Sequence, residues 1–152
     1  MRSRSFAAVI VMGLALAACG SGGQSAADAQ EEISSNWTTF FNGANPDTAG
    51  RVKLLQDGAN LQAAIAAAQA NPTSKAVSAS VKKVDVLKGS DCQAASLSSP
   101  CAKVTYDIVA NGSALISGST GYAVRVNSKW VVSKTSFCSL LKLAAPTTPP
   151  GC

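Results

Sequence analysis

The sequence predicts an α+β fold in which three N-terminal helices pack on a bent, four-stranded antiparallel sheet. Up to about residue 71 the apolar residues recur at helical spacing, and from Val77 onward they alternate with polar residues, as in strands with one buried face. The pairs Asn111-Gly112 and Asn127-Ser128 separate the alternating runs. Such pairs favour short hairpins, so the strands are expected to be antiparallel neighbours.

Residues 1–18 have the features of a lipoprotein export signal. Two arginines lie within the first four residues, and the apolar run 6–16 is about as long as a signal h-region but too short to span a bilayer. The run ends in Leu16-Ala17-Ala18-Cys19, which resembles a bacterial lipobox. We therefore predict cleavage after Ala18 and a diacylglyceryl group on the thiol of Cys19. The alternative is an ordinary secretory signal that ends near a cysteine.

Lipidation would determine where the protein is located. Burial of an acyl chain contributes about 0.8 kcal/mol per methylene, so one chain binds marginally and two bind stably. We expect the mature protein on the outer face of the cell membrane, held by palmitate-type acyl chains and without a transmembrane helix. Residues 19–27 begin with a Gly/Ser-rich stretch and are predicted to be a flexible tether.

The first predicted helix carries most of the aromatic residues of the N-terminal half. Ser25 is in position to cap it, and Asn42-Gly43 is expected to end it. One helical face collects an isoleucine and three aromatic residues: Ile33, Trp37, Phe40 and Phe41.

Two further helices are predicted before the sheet. Asn45 is expected to cap the second, with Pro46 as its first residue and Asp57-Gly58 as its end. The third is the alanine-rich segment 61–70, which Asn71-Pro72 should terminate.

The first strand is predicted to start at Val77 and to contain a bulge. Its apolar positions change phase at Lys82-Lys83, and such a slip within one strand indicates an extra residue that bends the sheet. The Ser-rich segment 89–100 that follows is predicted to be a loop.

Three more strands complete the predicted sheet. Residues 102–110 alternate most regularly, and further strands are expected at about 114–126 and 130–135. Together with the helices they define a predicted domain over residues 28–143, followed by a Pro-rich tail at 144–152. A long bent sheet wrapped over an aromatic helix would make a cone with one open end.

The five cysteines divide into Cys19 for the lipid and four others. An even number at an oxidising membrane face predicts two disulfides, and four cysteines allow three pairings. We favour Cys92–Cys101 with Cys138–Cys152, because both close short loops, and expect about 2.5–3 kcal/mol from each. A zinc site or a redox pair is disfavoured, since the chain has no C-x-x-C motif.

Composition excludes several classes of function. The chain has no histidine, which removes His-based catalytic triads, imidazole metal sites and histidine general bases. Its formal charge of +5 falls to +3 without Arg2 and Arg4, too small and scattered to favour nucleic acid. No phosphate loop or dinucleotide fingerprint occurs, so no cofactor and no metal are expected.

Three segments resemble the mycobacterial low-molecular-weight secreted antigen family: Asn45-Pro46-Asp47, Leu54-Leu55-Gln56-Asp57-Gly58 and Val131-Val132-Ser133-Lys134-Thr135-Ser136-Phe137-Cys138. The resemblance covers roughly residues 28–143. It implies a small actinobacterial envelope or secreted domain with a cystatin-like cone, a shape shared with nuclear-transport-factor-type and ketosteroid-isomerase-type domains. It supplies no catalytic residues.

Five aromatic residues could line a pocket at the open end of such a cone: Trp37, Phe40, Tyr106, Tyr122 and Trp130. We favour the alternative that they form an ordinary hydrophobic core, because aromatic residues make up only 5% of the chain. Phe41 is expected only to pack.

Enzymes with cone folds place a general-base carboxylate in the interior that the curved sheet encloses. Asp85 and Asp107 lie in predicted strands, but each has the phase of the solvent-facing residues. We therefore expect a non-catalytic envelope lipoprotein that binds a lipidic small molecule or an envelope protein. An isomerase- or dehydratase-like enzyme and an accessory subunit of an envelope complex remain as alternatives.

Overall fold

The computed structural model describes residues 24–144 and 149–152. The predicted signal at residues 1–18 and the lipidated Cys19 lie outside this range. Within the range, no helix is both long and apolar enough to cross a membrane.

The predicted α+β class is confirmed, with one antiparallel sheet in the order β1-β2-β3-β4. The sheet curls into a half-barrel. The described residues form six α-helices, one 3-10 helix and four strands: α1 (Ala26–Phe40), α2 (Thr48–Lys53), the 3-10 helix η1 (Gly58–Leu61), α3 (Gln62–Ala70), α4 (Pro72–Lys75), β1 (Val77–Val86), α5 (Gly89–Ala94), β2 (Cys101–Ala110), β3 (Ser113–Val126), β4 (Lys129–Val132) and α6 (Lys134–Ala144).

The helices differ from the three that were predicted. Pro72 ends α3 as expected, but it also starts the short helix α4, which Asn71 caps by accepting a hydrogen bond from the Thr73 amide at 2.9 Å. Helix α5 lies in the predicted loop 89–100, and α6 follows β4 directly. Helices of one or two turns contain too few residues to show a period, which is why α4 and α5 were missed.

Side-chain caps set the starts of the first two helices. Ser25 caps α1 as predicted, accepting from the Asp28 amide at 3.1 Å, so α1 begins within the predicted tether 19–27. The prediction for α2 was wrong, because Asp47 rather than Asn45 is its cap and accepts from the Gly50 amide at 2.8 Å. Asn45 instead accepts from the Asp47 amide in a tight turn that precedes the helix.

The predicted bulge in β1 is confirmed, since the register with β2 shifts between Val81 and Lys83. The register between β2 and β3 shifts twice, between Tyr106 and Ile108 and between Ile108 and Val109. At the first of these shifts the Gly118 amide donates to the Asp107 carboxylate at 2.9 Å, and Gly118 has a φ of 67°. Bulges increase local twist and bend the strand. The irregularities in the β1–β2 and β2–β3 pairings therefore account for the curl of the sheet.

Both hairpin turns were predicted from sequence. Asn111 and Gly112 have φ angles of 50° and 79°, and Asn127 and Ser128 have 49° and 64°. Paired positive φ angles are typical of the two-residue turns whose twist matches that of antiparallel strands. Local turn chemistry thus fixes the order of the last three strands.

Helix α1 lies in the concave face of the sheet and contacts β1 and β4. Its Trp37 side chain is 1% exposed, and its ring centroid lies 5.2 Å from that of Tyr106 on β2. Phe40 is fully buried and packs edge-on against Phe137 of α6, with centroids 5.5 Å apart. The aromatic face of α1 therefore fills the centre of the curl.

Polar side chains join α1 to β4. The Asn36 amide donates to the carbonyl of Trp130 at 2.8 Å, and the Glu32 carboxylate accepts from the Trp130 amide at 3.0 Å. The Trp130 indole N–H donates to Gln24 at 2.9 Å. These bonds hold the short strand β4 on the helix.

The structure contains the two favoured disulfides. Cys92–Cys101 joins α5 to the start of β2, within a small apolar cluster separate from the main core. Cys138–Cys152 joins α6 to the end of the chain.

Gly121→Ala should destabilise the domain. An added Cβ would lie 2.7 Å from the Trp37 ring, which is held in the core and cannot move away without repacking. Overpacking of this kind costs about 1–3 kcal/mol in the free energy of unfolding. Urea denaturation should show this loss, whereas the control Gly89→Ala, whose Cβ would meet only Ser99 at 3.6 Å, should change stability little. Equal stabilities of the two variants would contradict the proposed close contact.

Candidate functional site

An open, mainly apolar groove of about 520 Å³ lies at the end of the sheet that carries the β2–β3 hairpin. Its walls come from the end of α1, from α2 to α4, from the sheet and from α6. The lining residues are Phe41, Gly43, Arg51, Ala68, Gln69, Asn71, Thr73, Ser74, Val77, Ile108, Ile116, Phe137, Leu140, Leu141 and Leu143.

Helix α6 supplies the most apolar wall. Phe137, Leu140 and Leu141 fall at i, i+3 and i+4 and therefore share one helical face. The outer rim is exposed, with Leu143 at 77% and Ile116 at 47% of their full accessibility. Large apolar side chains are thus left in water at the mouth of the groove.

The opposite wall, from α3 and α4, is more polar. Gln69 accepts a hydrogen bond from the Thr48 hydroxyl and donates to the carbonyl of Asn45 at 3.1 Å. These bonds connect α3 to α2 and to the turn before it. The groove therefore has one aliphatic side and one side that carries hydrogen-bonding groups.

Arg51 of α2 also lines the groove and is only 7% exposed. Its guanidinium carbon lies 5.4 Å from the centre of the Phe40 ring. Burial lowers the pKa of Arg51, because a charged guanidinium loses hydration there. A cation–π contact of this kind contributes about 0.5–2 kcal/mol, less than the several kcal/mol that burial of an unpaired ion costs.

No carboxylate neutralises Arg51. All acidic residues of the chain and its C-terminal residue lie within the described ranges, and the ion pairs found there are Lys82–Asp107 and Lys83–Asp85. The Arg51 Nε–H also lacks a hydrogen-bond acceptor among the described residues. The groove thus contains a buried cation without a counter-ion from its own chain.

The five aromatic residues predicted as pocket lining do not line this groove. Trp37, Phe40, Tyr106 and Trp130 are buried in the main core, as the favoured alternative expected, because α1 fills the concave face at its centre. Tyr122 packs instead on the small cluster around Cys92–Cys101. Its neighbours Gly121 and Ala123 take the inward positions of β3, and alternation along the strand turns Tyr122 outward.

Phe41 lines the groove, although it was predicted only to pack. Its side chain is half-buried and forms part of the groove wall. Arg51 was missed altogether, and no local pattern distinguishes it from a solvated arginine. The spacing of Phe137, Leu140 and Leu141 was the one available signal for a helical wall.

The two strand carboxylates considered as possible general bases, Asp85 and Asp107, lie away from the groove. Asp85 pairs with Lys83 at 2.8 Å, and Asp107 pairs with Lys82 at 3.3 Å. The Gly118 backbone N–H, and secondarily Lys82, lower the pKa of Asp107. Neither carboxylate is buried among aromatic residues, which is the placement the isomerase-like alternative required. Among the described residues, no cluster of three potential metal ligands occurs.

A protein-family comparison identifies the domain. The model of the family described as "Low molecular weight antigen MTB12, C-terminal domain" matches residues 26–148. The chain belongs to this family. The match to the MTB12 family runs from the start of α1 past the end of α6, so it includes every element described above. No curated protein and no solved structure matches the chain significantly.

Tyr106 should make the domain sensitive to alkali. Burial raises the pKa of Tyr106 to about 12, so the folded chain keeps a phenolic proton that the unfolded chain loses near pH 10. Unfolding then releases this proton, and the free energy of unfolding falls as pH rises above 10.

Urea denaturation at pH 9 and pH 11 should reveal the effect. Between pH 9 and pH 11, the free energy of unfolding of Tyr106→Phe should rise by on the order of 1 kcal/mol relative to that of the unsubstituted chain. Tyr122→Phe, which also removes one phenolic hydroxyl but lies outside the main core, serves as the control for loss of the hydroxyl group itself. Parallel pH profiles for the unsubstituted chain and Tyr106→Phe would contradict this account.

Proposed function

We propose that this chain is a lipid-anchored lipoprotein on the outer face of the cell membrane, and that its MTB12-type domain binds an aliphatic small molecule in the groove. The observation that carries the binding function is the apolar wall of α6 with its exposed rim. The lipobox-like segment Leu16-Ala17-Ala18-Cys19 supports the anchoring.

The dimensions of the groove suit a small ligand. Its volume of about 520 Å³ falls within the range of roughly 300–1,000 Å³ that is typical of small-molecule sites. A bound alkyl chain would remove the rim leucine and isoleucine from water, and each Å² of apolar surface buried contributes about 25 cal/mol.

We propose a cystatin-like cone as the finer description of the fold. The bulge in β1 and the irregularity at Gly118 bend the sheet, and α1 occupies its concave side. The groove then corresponds to the open end of the cone.

A non-catalytic role is part of this proposal. The placement of Asp85 and Asp107 in ion pairs away from the groove supports it, since none of the residues that line the groove is a carboxylate. Histidine is absent from the chain.

An envelope protein as the partner is the second candidate. Strand β4 pairs with β3 only from Ala123 to Val126, so the earlier part of β3 has a free edge within the described sheet. Leu115 on this segment is 62% exposed. Free edges can pair with a strand of another chain. Crosslinking in intact cells through a photoreactive group at Leu115 tests this candidate, and the absence of a specific adduct would remove it.

Cys19→Ser should abolish lipid attachment. The expected result is loss of radiolabelled palmitate and a shift from the detergent phase to the aqueous phase in phase partitioning, because no other thiol follows a lipobox-like segment. The control combines Cys138→Ser with Cys152→Ser, which removes the second disulfide but leaves Cys19 in place, and it should keep the label. Unchanged labelling and partitioning of Cys19→Ser would refute the anchor.

Ala68→Phe should block the groove. Ala68 is half-buried in the wall from α3, and a phenyl ring there would occupy the space of an alkyl chain. Displacement of even two methylenes, at about 0.8 kcal/mol each, corresponds to about a ten-fold weaker affinity. The measurement is titration calorimetry with dodecanol on the full chain carrying Cys19→Ser.

Ala67→Phe is the matched control, since Ala67 lies on the same helix but is exposed and does not line the groove. It should bind dodecanol like the unsubstituted domain. No dodecanol binding in the starting protein, or equal losses in both phenylalanine variants, would contradict the proposed site.

A further inference from the structure

We infer that the ligand of the groove is a single-chain amphiphile with an anionic headgroup, and that Arg51 binds this headgroup. The inference rests on the proposed binding function and specifies its ligand class. A carboxylate and a phosphate monoester share the required chemistry.

The first argument is electrostatic. Arg51 is only 7% exposed, and no acidic group of the chain pairs with it. Buried charges in proteins are normally paired or hydrogen-bonded, because their hydration is lost. An anion in the groove would supply the missing counter-charge.

The second argument is geometric. The Arg51 guanidinium lies over Phe40, 5.4 Å from its centroid, and Phe40 packs against Phe137 of α6 with centroids 5.5 Å apart. Arg51 is therefore close to the Phe137 end of the apolar wall. Leu143 lies six residues further along α6, about 9 Å at the helical rise. The headgroup would thus lie inside, with the alkyl chain along α6 towards the exposed rim.

The third argument is the chemistry of the guanidinium. Its planar fork of N–H donors matches the two oxygens of a carboxylate or phosphate, and hydrogen bonds between ionised groups are the strong ones. An uncharged alcohol would leave the charge of Arg51 unpaired. Affinity for anionic amphiphiles should therefore exceed that for alcohols of equal chain length.

The experiment compares ligands that share one alkyl chain. Titration calorimetry on the full chain with Cys19→Ser uses dodecanoate, dodecyl phosphate and dodecanol at neutral pH, with inorganic phosphate as a tail-free probe. At least one anionic amphiphile should bind on the order of ten- to a hundred-fold more tightly than dodecanol. The tighter of the two identifies the headgroup, and inorganic phosphate should bind far more weakly than either.

Arg51→Met should remove this preference while keeping dodecanol binding. The control is Lys53→Met on the same helix, which removes an equal charge from an exposed side chain that does not line the groove and should keep the preference. Arg51→Lys, which keeps the charge without the planar fork, should retain part of it. Urea denaturation of each variant shows whether it is folded, and equal affinities for the three amphiphiles in the unsubstituted Arg51 protein would overturn the inference even if no variant folds.

The outcomes separate this inference from the function on which it rests. Equal affinities for dodecanol and both anions would overturn the inference and leave the proposed groove intact. A preference that survives in Arg51→Met, or inorganic phosphate binding as tightly as the amphiphiles, would also overturn it. If no amphiphile binds, the proposed function itself fails.

Discussion

The domain depends on how Trp37 fits against the sheet. The ring lies where a side chain on Gly121 would be, and it contacts Tyr106 and Phe41 at the same time. This close approach sets the depth of α1 in the concave face. The helix fills the centre of the curl with its largest side chains, and the groove lies beyond the end of α1, where Phe41 forms its first wall. One packing contact thus determines both the core and the position of the candidate site.

The groove combines two features that oppose stability. The aliphatic side chains at the rim stay exposed to water and therefore add no hydrophobic stabilisation. Arg51 loses hydration without forming an ion pair within its own chain. A folded domain tolerates such features when the rest of its core is well packed, as the two disulfides and the aromatic cluster allow here. One amphiphilic ligand would relieve both. This is the physical basis for treating the groove as a site rather than as a packing defect.

Most of the framework could be read from the sequence, because its signals are local. The phase slip at Lys82-Lys83 predicted the bulge, and the two pairs of turn residues predicted the strand order; the structure has both features. The groove could not be read in this way, since its walls come from segments between Phe41 and Leu143 that meet only in the fold. Arg51 illustrates the limit: its burial and its lack of a carboxylate partner are properties of the surroundings, which one arginine in a short helix does not reveal.

The bonds between α1 and β4 have a consequence for the order of folding. Asn36 and Glu32 reach Trp130 across sequence separations of 94 and 98 residues, and the same helix must lie against β1. Closing so long a loop carries an entropic cost that local helix formation cannot offset. Helix α1 can therefore reach its final position only when β4, near the other end of the chain, is present to bind it. A domain shortened before Lys129 would lose these partners and leave one side of α1 without its sheet contacts.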